Sequence, residues 1–146
     1  MFDRVLVVCV GNICRSPYGE HVLRKHFPNK KVASAGIGVT KSGLENKPAD
    51  NTAIEISKVR GIDLAQHCSQ QLTSELCSNY DLILVMEKGH IKALNEIAPE
   101  ARGKTMLFGE WIGKKDIPDP YKQSKEAFEH AYKMIEQAAD AWARKL

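Results

Sequence analysis

A cysteine and an arginine with five residues between them, Cys9-Val10-Gly11-Asn12-Ile13-Cys14-Arg15, follow an apolar run (residues 5–8) and precede a helix-like stretch opening Ser16-Pro17. In a strand–loop–helix setting, this spacing is the minimal apparatus for cysteine-based phosphoryl transfer. Successive backbone N–H groups of such a loop can turn inward and form a concave nest for an oxyanion. Ser16 is expected to cap the following helix and Pro17 to be its first residue, which aims a helix N-terminus at the nest. A thiol placed there is nucleophilic as its thiolate, which the helix dipole and Arg15 favour. Arg15 offers a planar fork of donors that matches two phosphate oxygens at once. Gly11 has no Cβ and Asn12 tolerates left-handed dihedrals, both useful in a tight loop. Cys9 by itself, at the end of an apolar run, would read as an inert buried thiol. The attached Gly-Asn-Ile-Cys-Arg-Ser-Pro is what moves it to the nucleophilic reading.

Strand-like and helix-like segments alternate along the chain. Residues 5–9 read as a buried strand, 16–27 as a helix with Val22, Leu23 and Phe27 inward, and 31–35 as a second strand. Residues 36–48, rich in Gly, Lys and Ser, read as a loop. A helix over 50–60 ends at Gly61 as its C′ residue. Thr73 caps a short helix through Cys77. Residues 81–86 form the clearest buried strand, followed by a helix over about 89–97, a strand over 104–108 and a last helix over about 124–145. In that helix Phe128, Ala131, Ile135, Ala138 and Trp142 recur at three- and four-residue steps. Strands separated by helices predict a parallel α/β sheet covered on both faces, with ligands bound beyond the carboxyl ends of the strands. The Cys9 loop leaves such an end.

A length of 146 residues predicts a single domain spanning residues 1–146. The net charge of +3 suits an anionic substrate locally, and no basic tract interleaved with aromatics points to nucleic acid. The apolar run at 5–10 is too short for a signal sequence or membrane span, so a cytoplasmic protein without membrane insertion is expected. Four cysteines (Cys9, Cys14, Cys68, Cys77) without a secretion signal are expected to be free thiols. Their pairs are spaced too loosely for structural zinc, so no metal and no cofactor is expected. The loop has neither the P-loop Gly-x4-Gly-Lys nor a GxGxxG spacing, which argues against a nucleotide-binding domain.

The chain resembles the low-molecular-weight protein tyrosine phosphatases over nearly its whole length. The resemblance rests on VCVGNICRSP, Ser34-Ala35-Gly36, Tyr80-Asp81-Leu82-Ile83-Leu84 and Asp119-Pro120-Tyr121. Through MEKGHI, IAPEARGKTMLFGEW and IPDPYKQS it is most similar to the bacterial branch that partners tyrosine autokinases in capsule and exopolysaccharide production. The resemblance implies a single three-layer domain with a four-stranded parallel sheet of order 2-1-3-4. It implies Cys9 as nucleophile, Arg15 and the backbone of Val10, Gly11, Asn12, Ile13 and Cys14 as the phosphate cradle, and Asp119 as general acid. Ser16 would donate to the thiolate, and Ser34 and His67 would hold a strained Asn12. Tyr121 would wall the substrate ring. The substrate it implies is a phosphotyrosine protein, the tyrosine-rich tail of a tyrosine autokinase, and the enzyme would be a monomer capable of weak self-association. Eukaryotic relatives carry an aromatic after strand two and paired tyrosines after the acid. Here Val39-Thr40 occupies the first region, with Thr40 as the substrate-facing residue, and Lys122 follows Tyr121. A more open rim is expected.

Several residues carry a second reading. Asp119 stands between two prolines as an ordinary turn residue would, and Asp116 is an alternative acid. Tyr121 could be packing, and His67 a plain structural histidine. Cys14 is either a small loop residue or a redox partner for Cys9, as in some relatives. Cys68 and Cys77 read as incidental, and Lys114 and Lys115 as a solvated loop. Two other functions share the scaffold. A thioredoxin-coupled arsenate reductase would place resolving cysteines just after strand three, where Met86-Glu87-Lys88 stands. A silent phosphotyrosine-binding module would lack the nucleophile, the arginine or the acid, and all are present.

Overall fold

In a computed structural model that describes residues 2–146, β1 (Arg4–Cys9) lies at the centre of the sheet, and every residue after Arg4 is buried. Val5-Leu6-Val7-Val8 is apolar on both faces, as a strand covered on two sides must be. β1 pairs in parallel with β2 (Lys31–Gly36) on one side and β3 (Leu82–Val85) on the other, and β3 pairs with β4 (Thr105–Leu107). The strand order is β2-β1-β3-β4 in one four-stranded sheet, as the resemblance implied. The register sets Cys9 beside Gly36 and Val8 beside Val85, so the Cys9 loop leaves the sheet between the carboxyl ends of β2 and β3.

Alternate residues of the strands feed two cores. Val5, Val7, Leu82, Leu84 and Met86 pack under α1 (Arg15–His26), α2 (Asn51–Val59) and α5 (Lys125–Lys145). Leu6, Val8, Ile83, Val85 and Leu107 pack under α3 (Ser74–Ser78) and α4 (Lys88–Ile97). The domain is therefore three layers of single α/β type. α5 is fastened to α1 by Tyr132 stacked on Tyr18, ring centroids 3.9 Å apart, and by Glu136, which accepts from Tyr18 Oη and takes both Arg60 Nε and Nη2.

Helix ends follow local chemistry in most places. Asp50, Thr73 and Ser124 accept backbone N–H groups at the starts of α2, α3 and α5. Gly61, at φ +84°, ends α2: its N–H reaches Lys58 O and that of Ile62 reaches Ser57 O, a paired closure that needs a left-handed residue. Two expectations are corrected. A 3-10 turn over Pro99–Lys104 joins α4 to β4, where no element was anticipated. α1 begins at Arg15 with Cys14 in the cap position and no side-chain cap bond, so Ser16 is inside the helix and is not its cap. The Ser16 hydroxyl has a stronger claim on it, from the loop it faces.

Candidate active site

Ser16 Oγ lies 3.0 Å from Cys9 Sγ and accepts from Asn12 Nδ2 at 2.7 Å. With its lone pair engaged by the amide, the hydroxyl proton is free to point at sulfur. The backbone N–H of Asn12 also donates to Cys9 Sγ, at 3.3 Å. Two donors therefore converge on the sulfur from the loop and the first turn of α1, an arrangement that stabilises negative charge there.

The loop is held in shape from behind. Asn12 has φ +57°, in the left-handed region, and each of its polar groups is satisfied. Its Nδ2 also donates to Ser34 Oγ at 3.0 Å, its Oδ1 accepts from Gln70 N at 3.0 Å, and its carbonyl accepts from His67 Nε2 at 2.6 Å. Ser34 Oγ donates onward to Glu20 Oε1 at 2.6 Å, and Glu20 is paired with Arg24 at 2.6 Å. Gly11 does not use positive φ; the conformational freedom is spent at Asn12. The glycine that the loop requires is Gly36, where a Cβ would lie 2.5 Å from Val10 O and 2.5 Å from Val39 Cγ2. Tyr132 Oη donates to Cys14 O at 2.8 Å, and Asp50 N donates to Ile13 O at 2.9 Å, tying the loop to α5 and α2.

Arg15 is 2% exposed. Its Nη1 donates to Glu87 Oε2 at 2.5 Å and to Ile117 O at 2.8 Å, and its Nη2 lies 3.8 Å from Asp119 Oδ2. These partners fix the guanidinium plane at the mouth of the loop. A cavity of about 310 Å³ is lined by residues 9–15 together with Ser42, Leu44, Asp119, Tyr121 and Lys122. Asp119 and Tyr121 are half-exposed on its rim, and the Lys122 ammonium stands 5.4 Å from the centroid of the Tyr121 ring.

The structure brings together Cys9, Val10, Gly11, Asn12, Ile13, Cys14, Arg15, Asp119 and Tyr121, with Ser16, Ser34 and His67 behind them. Thr40 does not line the cavity. Its hydroxyl is taken by Glu45 and its N–H donates to Gln71, while Val39 is buried, so Ser42 and Leu44 supply that wall. Asp116 caps α4 through the N–H of Lys88 and does not line the cavity. Cys77 is buried under the opposite face of the sheet. Burial, then the negative charge of Asp50, pushes the Cys14 thiol above its ordinary range, so Cys14 keeps its proton. Glu87, Glu20, Gln70 and Tyr132 were missed in the sequence. Glu87 was findable: it is the first charged residue after the buried β3, at the strand's carboxyl end.

His67 donates its Nε2 proton to a carbonyl, and burial holds this histidine below the ordinary 6.5. His21 and His90 are lowered by burial as well. Because the unfolded chain binds these protons more readily, stability falls as pH drops through about 6.5 toward the folded values and is level above that window. Thermal melts are expected to give a constant midpoint from about pH 8 to 7 and a falling one below. A midpoint that rose on acidification would contradict this.

A cysteine at the end of a parallel strand, under a nest closed by a buried arginine and faced by a carboxyl group, defines a site for cysteine-dependent transfer of a phosphoryl group. The chain belongs to the low-molecular-weight protein tyrosine phosphatases: the profile of the family "Low molecular weight phosphotyrosine protein phosphatase" matches residues 4–146. It is 53% identical over 145 residues to the low-molecular-weight protein-tyrosine-phosphatase Etp of Escherichia coli K12, covering 99% of this chain and 95% of that protein. It is 51% identical over 146 residues to Wzb of the same strain, covering 100% and 97%. Among solved structures it is similar to Vibrio vulnificus Wzb in complex with benzylphosphonate, at 69% identity, TM-score 0.98 and full coverage of both chains.

Proposed function

We propose that this protein tyrosine phosphatase works through a cysteinyl-phosphate on Cys9, with Arg15 and the loop N–H groups as the phosphate cradle and Asp119 as general acid, then base. The observation that carries the reading is the convergence on one cavity of Cys9 Sγ, a buried Arg15 and Asp119 Oδ2 3.8 Å from that arginine. The phosphate of the substrate enters the nest. As the Sγ–P bond forms, the P–O bond to the phenol breaks, and Asp119 gives its proton to the departing oxygen. Water then attacks phosphorus, Asp119 takes its proton, and the Sγ–P bond breaks to return the Cys9 thiolate and inorganic phosphate. Charge on the equatorial oxygens is met by Arg15 and the loop N–H groups.

Leu44, Val10 and Tyr121 give the rim an apolar surface for an aryl ring, and Lys122 and Ser42 leave it more open than a fully aromatic collar. The benzylphosphonate complex of the Vibrio vulnificus protein, a ligand of aryl ring and phosphonate, supports an aryl phosphate here. The kinship with Wzb, Etp and Erwinia amylovora AmsI supports a tyrosine-phosphorylated autokinase tail in capsule or exopolysaccharide production as the cellular substrate. Unpaired thiols at Cys9, Cys14, Cys68 and Cys77 suit the cytoplasm, and among the described residues no helix is long and apolar enough to cross a membrane. Phosphate release should be measured on matched phosphotyrosine, phosphoserine and autokinase-tail peptides. At least about a hundredfold preference in kcat/KM for phosphotyrosine is expected, since only an aryl ester reaches both rim and nucleophile. Equal rates on phosphoserine would overturn the reading.

A further inference from the structure

Asp119 itself is loosely held. Its Oδ1 accepts the N–H of Tyr121 at 3.1 Å and its carbonyl accepts Gln123 Nε2 at 3.0 Å, both within its own turn, and beyond that turn its Oδ2 comes no nearer than 3.8 Å to Arg15 Nη2. The segment it sits on is anchored two and three residues earlier. Asp116 Oδ1 accepts the N–H of Lys88, the first residue of α4, at 2.8 Å. That helix has no acidic residue in its first turn, and its own cap residue, Glu87, makes no side-chain cap bond, so Asp116 supplies the missing acceptor from another part of the chain. Ile117 then closes the same junction: its N–H donates to Met86 O at 2.8 Å and its carbonyl accepts Arg15 Nη1 at 2.8 Å. From this anchor the chain runs Ile117-Pro118-Asp119-Pro120. Each proline fixes its own φ and restricts the residue before it to extended backbone, so little slack separates the anchor from the acid.

We propose that Asp116 is a positioning residue for the reaction: by capping α4 it bolts the acid-bearing segment to the helix start that carries Glu87, and thereby sets where Asp119 meets the leaving-group oxygen. The proposal rests on the reading of Asp119 as general acid. Glu87, Arg15 and Asp116 thus belong to one junction, in which α4 orients the arginine through Glu87 and the acid through Asp116.

The test compares kcat/KM for phenyl phosphate, whose phenolate needs a proton to leave, with that for 2,4-dinitrophenyl phosphate, whose phenolate does not. Both esters are run on the same samples of parent, Asp116→Ala, Asp116→Asn and Asp119→Asn, so the fraction of folded enzyme cancels in their ratio. Asp119→Asn is expected to lose about a hundredfold or more on phenyl phosphate and far less on the dinitrophenyl ester. Asp116→Ala is expected to lose about tenfold or more on phenyl phosphate alone, because a misplaced acid costs rate without touching the nucleophile. Asp116→Asn keeps an acceptor oxygen for Lys88 N–H and is expected to recover most of that loss. Equal losses on both esters in Asp116→Ala, no loss, or an asparagine variant as impaired as the alanine one would overturn the proposal. If Asp119→Asn treated the two esters alike, the acid reading itself would fall.

Discussion

Cys9→Ser is expected to fold, bind phosphate and lose about 10⁵-fold or more in kcat on aryl phosphates, the scale seen when a covalent nucleophile is removed. The substitution is nearly isosteric, and a serine oxygen can still meet Ser16 Oγ and the Asn12 N–H that contact sulfur now. The loop is held by contacts at Asn12, Ile13 and Cys14 rather than by position 9, so its shape survives. What is lost is chemical: an alcohol is overwhelmingly protonated where a thiol reaches its anion. Turnover of an aryl phosphate, the thermal midpoint and protection by inorganic phosphate against unfolding form the check. Residual turnover within about tenfold of the parent, in a protein of unchanged melting behaviour, would sink the cysteinyl-phosphate mechanism.

Arg15→Lys should cost about 10²–10³ in kcat/KM although it preserves the charge. The ammonium is a single point donor on a flexible stem, whereas the guanidinium presents a flat fork that can hold Glu87 and Ile117 O on one edge and phosphate on the other. A lysine long enough to reach phosphate must release Glu87, and the Ile117 carbonyl then loses its Nη1 partner. The loss should appear in KM as well as kcat, because in the proposed mechanism Arg15 meets phosphate in both ground and transition states. A matching measurement of phosphate affinity separates the two: a variant with parental phosphate affinity and parental kcat would remove Arg15 from the site.

The Arg15 contacts also show why the site resists reading from sequence beyond its core. Position 15 follows from the Cys-x5-Arg spacing, a local signal carried on one turn of chain. Glu87 and Ile117 lie 72 and 102 residues away; the place of Glu87 at the carboxyl end of β3 marks it as a candidate for the site, but nothing in either neighbourhood says that it holds a guanidinium.

The amino-acid sequence by itself determined the alternation of strands and helices, because buried β1 and β3 are apolar throughout and α5 repeats its apolar residues at helical steps. It determined the cysteine loop, whose residues are contiguous, and the helix ends at Asp50, Gly61, Thr73 and Ser124, where capping is a matter of a few neighbours. Resemblance carried the strand order and the distant partners Ser34, His67 and Asp119. Resemblance also gave Ser16 to the thiolate; only the tertiary structure decided that it accepts from Asn12 as well and does not cap the helix, since that depends on how the loop sits over α1. It alone placed Ser42 and Leu44, and not Thr40, in the cavity wall, and gave Asp116 to α4 instead of the cavity. Side-chain direction and hydrogen-bond competition are settled by which segments pack together, and a one-dimensional pattern holds no record of that.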